Sequence, residues 1–148
     1  MRILLLSDSH QSHVSLDLNG YDYVIHCGDY GLDRLYLEKN NVKYVRGNCD
    51  YSGPKEILLE INGKKIYVCH GDLFNVKFDL TRLYYRSAEL GVNYTFYGHT
   101  HIPNMVRQGD IMLINPGAYK DGYYVIIEDD CVTFYLNKMI YKKFKISW

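Results

Sequence analysis

The sequence lacks several features that would each mark a class of protein. No apolar run approaches the about 20 residues needed to cross a bilayer, and Ile3–Leu6 is also too short for the core of a signal peptide. A cytoplasmic location with no membrane partner is the expectation. Charge of either sign is not in excess, because 17 basic residues balance 17 acidic ones. Basic residues come no more than two in a row, as at Lys142-Lys143. Tight binding to a nucleic-acid backbone needs many cations on one face and is not expected. Cys27, Cys49, Cys69 and Cys131 show no paired spacing and no C-x-x-C. They read as free thiols, and a structural zinc knuckle is not indicated. Internal repeats, low-complexity tracts and linkers are also missing, so the 148 residues read as one domain, 1–148.

What is present is a regular succession of apolar runs, each ending in a polar loop. Residues 2–7 form a continuous apolar run, as a strand buried on both faces requires. The loop Asp8-Ser9-His10 follows, then a possible helical turn over 14–18. Residues 21–26 form a second strand ending in Gly28-Asp29. A helical pattern over 32–40 leads to a third strand, 42–45, ending in Gly47-Asn48-Cys49-Asp50. Asn62-Gly63 between apolar runs 56–61 and 64–69 signals a hairpin, and the second run ends in His70-Gly71-Asp72. A helix is expected over 78–90, stopped by Gly91. Strands follow at 94–97, 111–114, 123–127, 132–136 and 140–146, with turns at 128–130 and 137–138. Strands outnumber helices, which predicts an α/β or α+β sandwich with two sheets face to face. The edge of the C-terminal strands could pair with a second copy, giving a homo-oligomer.

His99-Thr100-His101 leaves one of these strands with two imidazoles on the same side. Alone, such a pair is weak evidence for a metal. Asp8, Asp29, Asn48 and His70 each have an ordinary reading too, as caps, turn residues or a hydrogen-bonded core histidine. Yet all of them fall at strand ends. In an open α/β sheet, ligands bind outside the carboxyl ends of the strands. Independent turns have no reason to place acids, imidazoles and an amide along one edge.

In order, Asp8-Ser9-His10, Gly28-Asp29, Gly47-Asn48-Cys49-Asp50, His70-Gly71 and Gly98-His99-Thr100-His101 resemble the signature of the calcineurin-like metallophosphoesterases. The Gly-Asn-Cys-Asp variant, the small size and Asn115-Pro116-Gly117 are similar to the YfcE-like phosphodiesterase branch. The resemblance covers about residues 1–120. It implies two facing β-sheets flanked by helices, the αββα sandwich. It also implies two divalent metal ions, manganese first, with nickel, iron, zinc, cobalt or magnesium as alternatives. Asp8, His10 and His101 would hold one ion; Asn48, His70 and His99 would hold the other; Asp29 would bridge them. The reaction implied is hydrolysis of a small phosphodiester by a metal-bridging hydroxide.

Most relatives have a histidine where this chain has Cys49, and that histidine is the family's general acid or phosphate contact. Cys49 would then be a weaker proton donor, with Asp50 orienting a neighbour, so aryl or otherwise activated diesters should be cleaved faster than alkyl ones. Asp29, Asn48, Cys49 and Asp50 are thus the catalytic candidates. Asp72 and Asn115 are candidates to support the ligands or meet substrate. His26 reads as structural and His13 as exposed. A retromer subunit shares this fold as a protein-binding platform, so the rival expectation is a catalytically weak or inactive scaffold.

Overall fold

A computed structural model describes residues 1–148. Its strands are β1 (Arg2–Leu6), β2 (Tyr23–His26), β3 (Lys43–Tyr44), β4 (Glu56–Ile61), β5 (Lys64–Cys69), β6 (Tyr94–Phe96), β7 (Asn104–Gln108), β8 (Ile111–Asn115), β9 (Tyr123–Glu128), β10 (Cys131–Leu136) and β11 (Met139–Lys145). Two α-helices, α1 (Arg34–Lys39) and α2 (Thr81–Leu90), and short 3₁₀ turns at Asp72–Phe74 and Tyr119–Asp121 complete it. The strands form a six-stranded sheet, β11-β10-β9-β1-β2-β3, and a five-stranded sheet, β4-β5-β6-β8-β7. β1, β2 and β3 are parallel, as are β5, β6 and β8. The remaining pairings are antiparallel.

The two sheets close on one apolar layer. Ile3, Leu5, Ile25, Val125, Ile127 and Phe134 enter it from the first sheet, and Ile66, Val68, Phe96 and Ile114 from the second. Alternation along β1 turns Leu4 and Leu6 to the opposite face, where they pack with Leu37 of α1 and Val14. On the far side of the second sheet, Tyr67, Cys69 and Leu113 pack with Leu83 of α2. The central strands are thus covered on both faces, as their unbroken apolar sequences require. Three two-residue hairpin loops have both central residues at positive φ: Asn62-Gly63, Asp129-Asp130 and Asn137-Lys138. That conformation matches the strand twist, which is why asparagine, aspartate and glycine stand there.

Several elements differ from expectation. Residues 14–18 form no helical turn. The Val14 N–H is taken by Asp33 Oδ2 at 3.0 Å, and Asp17 accepts hydrogen bonds from the backbone N–H and side chain of Asn19. These local bonds compete with a helix. α1 spans less than the 32–40 pattern, and Leu32 and Leu35 are exposed; Leu37 is the residue that packs inward. α2 begins at Thr81 rather than Phe78, because residues 72–79 turn through the first 3₁₀ segment and the left-handed Asn75. Gly91 ends α2 in the left-handed conformation, as expected. β7 has no counterpart in the sequence reading, because its half-exposed Met105 and Val106 carry little apolar pattern.

Candidate metal centre

The loops after β1, β2, β3, β5 and β6 converge at one edge of the two sheets. The loops after β1 and β2 are laced by backbone hydrogen bonds from Asp8 N–H to Gly28 O (2.9 Å) and from His10 N–H to Asp29 O (2.8 Å). Those after β5 and β6 are joined by Gly98 N–H to His70 O at 2.9 Å. Asp8, His10, Asp29, His99 and His101 all take positive φ, between 48° and 71°. For residues with a Cβ this costs of order 1–2 kcal/mol each. Such strain is retained where the surrounding structure, and ultimately function, demands it. Gly98 is needed for a steric reason: a Cβ there would lie 2.0 Å from Ser7 Oγ and 2.6 Å from Asp8 Oδ2. Likewise a Cβ on Gly47 would lie 2.1 Å from Asp29 Oδ1.

The side chains meet through their electron-pair donors. Asp8 is fully buried, and its Oδ2 accepts from Ser7 Oγ (2.5 Å) and the His99 N–H (3.0 Å). Its Oδ1 is buried with no hydrogen-bond partner. That oxygen faces the Nε2 atoms of His101 (3.2 Å), His10 (3.7 Å) and His70 (3.8 Å). Asp29 Oδ1 accepts from the Cys49 N–H, while Oδ2 lies 3.2 Å from His70 Nε2 and 3.7 Å from His10 Nε2. The imidazoles fall into two edge-on pairs. His10 and His101 are 3.3 Å apart through Nε2, and His99 Nδ1 is 3.2 Å from His70 Nε2.

Cations suit this donor set. His70 Nδ1 is 2.8 Å from the Cys27 carbonyl, which can only accept, so Nδ1 carries the proton and Nε2 presents its lone pair inward. Burial by itself would raise the Asp29 carboxyl, but the hydrogen bond and charge of His70, the Cys49 N–H and His10 pull it down to about 2. Burial opposes a charge on His70, yet Asp29 and Asp8 outweigh it and shift that imidazole upward. The two carboxylates therefore favour positive charge at this spot. Asp8, His10 and His101 form one group of converging donors, and Asp8, Asp29 and His70 another. Asp29 also joins His10 and Cys49, so it is shared between the two histidine pairs.

The other expected site residues have distinct places. Asn48 is exposed, with Nδ2 3.7 Å from Cys49 Sγ. The exposed Cys49 turns its sulfur toward Asp29 and His10, and burial followed by the Asp29 charge raises its pKa, so it stays a thiol at neutral pH. Asp50 accepts from the backbone N–H groups of Asp29 (2.7 Å), Gly47 (2.8 Å) and Tyr30 (3.1 Å). It clamps the Asp29 loop to the Asn48 loop. Asn115 is fully buried; its Nδ2 donates to Gly98 O and Thr100 Oγ1, and its Oδ1 accepts from Gly117 N–H, which holds the His99–His101 turn. Asp72 begins the 3₁₀ turn after His70-Gly71 and makes no hydrogen bond or ion pair. His13, exposed, pairs with Asp33 at 2.8 Å.

His26 is structural, as the sequence suggested. It is fully buried; its Nδ1 accepts from the Gly28 N–H at 3.0 Å, so Nε2 carries the proton and donates to Ser9 Oγ at 2.9 Å. It thereby ties the Asp8–His10 loop to the Gly28–Asp29 loop. The signal available was a histidine at a strand end, two residues before a glycine.

Comparison with known proteins agrees with this geometry. A family model described as the calcineurin-like phosphoesterase superfamily domain matches residues 1–127. The probable metallophosphoesterase YsnB of Bacillus subtilis is 35% identical over 150 aligned positions, covering 90% of this chain and 88% of that protein. Among solved structures, a predicted phosphoesterase of Streptococcus pneumoniae superposes with a TM-score of 0.83 at 28% identity, covering 97% of both chains. At lower identity the fold alone is shared with YfcE, a phosphoesterase from E. coli (TM-score 0.72, 19% identity, 99% of this chain and 100% of that one). It is shared equally with zinc-complexed Vps29 from Entamoeba histolytica (0.78, 18%, 98% and 99%). From the family match, and from a relative this similar over nearly its whole length, the chain belongs to the calcineurin-like phosphoesterase superfamily.

Proposed function

We propose that this protein is a metal-dependent phosphodiesterase acting on small diesters, with two divalent ions, manganese first. The observation that carries the reading is Asp8 Oδ1, a buried oxygen without a hydrogen-bond donor, facing three imidazole nitrogens. A carboxylate so placed is costly unless a cation meets it. Asp8, His10 and His101 would hold one ion, His70 and His99 the other, with Asp29 shared. Asn48, exposed on the loop after β3, would complete the second set through its side-chain oxygen. When bound, the ions supply a deprotonated water at neutral pH and neutralise charge on the phosphate.

The chain's own residues supply position and protons. His70 keeps its proton on Nδ1 through the Cys27 carbonyl, leaving Nε2 as a ligand atom. Asp50 and Asn115 hold the loops on either side, so the donors are set before substrate arrives. Cys49 is the remaining protonated group at the exposed side of the cluster and the candidate to protonate the departing oxygen. A thiol with a raised pKa is a reluctant acid, so leaving groups that need no proton are favoured.

A substrate panel with Mn²⁺, Ni²⁺, Zn²⁺ and Mg²⁺ tests this, with Asp29→Asn as the blank. Aryl phosphodiesters should turn over well ahead of alkyl ones, and Asp29→Asn should lose activity by at least about a hundredfold. Full metal loading without turnover of any phosphoester, unchanged by Asp29→Asn, would favour the scaffold reading instead. If Cys49→His accelerates alkyl diesters more than aryl ones, a proton donor is what limits the natural sequence. Equal effects on both would remove Cys49 from that role.

A further inference from the structure

The loop before α2 and the turn after β6 line an open hollow of about 250 Å³. Its apolar walls are Val76, Leu80, Tyr97 and Ile102. Thr100, which separates His99 from His101 in the sequence, also lines it, so the hollow adjoins the turn that carries those two histidines. Lys77 is its single charged residue, and no carboxylate lines it. Lys77 is exposed and makes no ion pair. Asp79, its nearest acidic neighbour in sequence, instead accepts from the Thr81 N–H at 3.0 Å. A second hollow, lined in part by His70, carries Lys55 and Arg86 but also the carboxylates Glu56 and Asp72, and Glu56 pairs with Arg86 at 3.0 Å.

We propose that the cavity beside Thr100 seats one ester arm of the substrate, and that Lys77 selects an arm with an apolar body carrying its own negative charge. The proposal rests on the phosphodiesterase reading for the position of the phosphorus, and it narrows the substrate class within that reading. Apolar walls favour an aryl or similar flat body. The unpaired ammonium favours a carboxylate, or a second phosphate, at the far end of that body. Lys77 is here a specificity-determining residue, remote from the bond that breaks.

Binding separates this proposal from turnover. The manganese-loaded full chain is titrated with phenylphosphonate and with 4-carboxyphenylphosphonate, which resist hydrolysis. The carboxylated probe should bind about fivefold tighter, the size of one partly screened ion pair. Lys77→Ala should lose that ratio with its loss confined to the carboxylated probe, Lys77→Arg should retain it, and high salt should shrink it in the wild type. A thermal melt equal to the wild type excludes a folding defect. Equal binding of the two probes by the wild type, or an equal loss on both probes in Lys77→Ala, would overturn the proposal. A preserved preference in a protein that turns over no diester would uphold the subsite while removing the phosphodiesterase reading. Turnover without any preference would do the reverse.

Discussion

At the scale of single residues, the site depends on side chains that hold backbone rather than touch substrate. Asp50 accepts three N–H groups across two loops. Asp50→Asn leaves one oxygen to meet them and turns an amide against donors, so a loss of about 2–3 kcal/mol in urea unfolding is expected, with weaker metal retention. Gly98→Ala should displace Ser7 and Asp8, since the added carbon would overlap both; metal analysis should show loss of the ion that Asp8 would hold. His26 gives a pH dependence. Burial, then the nearby His70, lowers its pKa from 6.5 to about 3. Between those values the unfolded chain binds a proton that the folded chain refuses. The stabilising contribution is therefore complete above about pH 6.5 and is lost as pH falls toward 3, at about 1.4 kcal/mol per unit. Unfolding measured from pH 7 to 4 should show this slope in the wild type and a shallower one in His26→Gln. Equal slopes would mean that His26 is not buried as the neutral form.

At the scale of elements, helices and sheets separate stability from the site. α2 packs Leu83, fully buried, on the outer face of the second sheet, and Ser87 Oγ reaches both Leu83 O and Thr95 Oγ1. Leu83→Ala should cost about 2–5 kcal/mol while leaving metal content at its wild-type value, because that face looks away from the donor cluster. The long strands and the hairpin turns were legible in the sequence, because buried runs and Asn-Gly-type turns are local properties. β7 was not, since an edge strand half open to solvent needs no apolar pattern. Nor was the loop at 14–18, where Val-Ser-Leu-Asp-Leu carries apolar residues without helical bonds. Its Val14 is buried by packing against Leu37 and Leu4, which are distant in sequence.

At the scale of the whole molecule, two sheets deliver loops to one edge, where Asp8, His10, Asp29, His99 and His101 all take positive φ. Metal that binds only the folded chain stabilises it by about 2.7 kcal/mol at a hundred times its Kd. For a chain of this size that corresponds to a rise in Tm of about 5–10 °C. Adding Mn²⁺ to chelator-treated protein should show the rise. Asp8→Asn should reduce it and, without metal, should melt higher than the wild type. The amide can donate to imidazole nitrogens at the place where Asp8 Oδ1 has no donor. A melting temperature insensitive to Mn²⁺ in the wild type would remove the metal from this cluster.

The order of strand-end motifs, from Asp8-Ser9-His10 to Gly98-His99-Thr100-His101, determined the family, the facing sheets and the identity of the candidate donors. Those properties depend on residue type and local spacing, which a sequence carries in full. Tertiary structure decided the rest. It paired His10 with His101 and His70 with His99, left Asp8 Oδ1 without a donor, and gave Asp50, His26 and Asn115 their places behind the loops. It also opened the Lys77 cavity beside Thr100. Each of these is a distance between segments far apart in the chain, set only when the two sheets close on their common core.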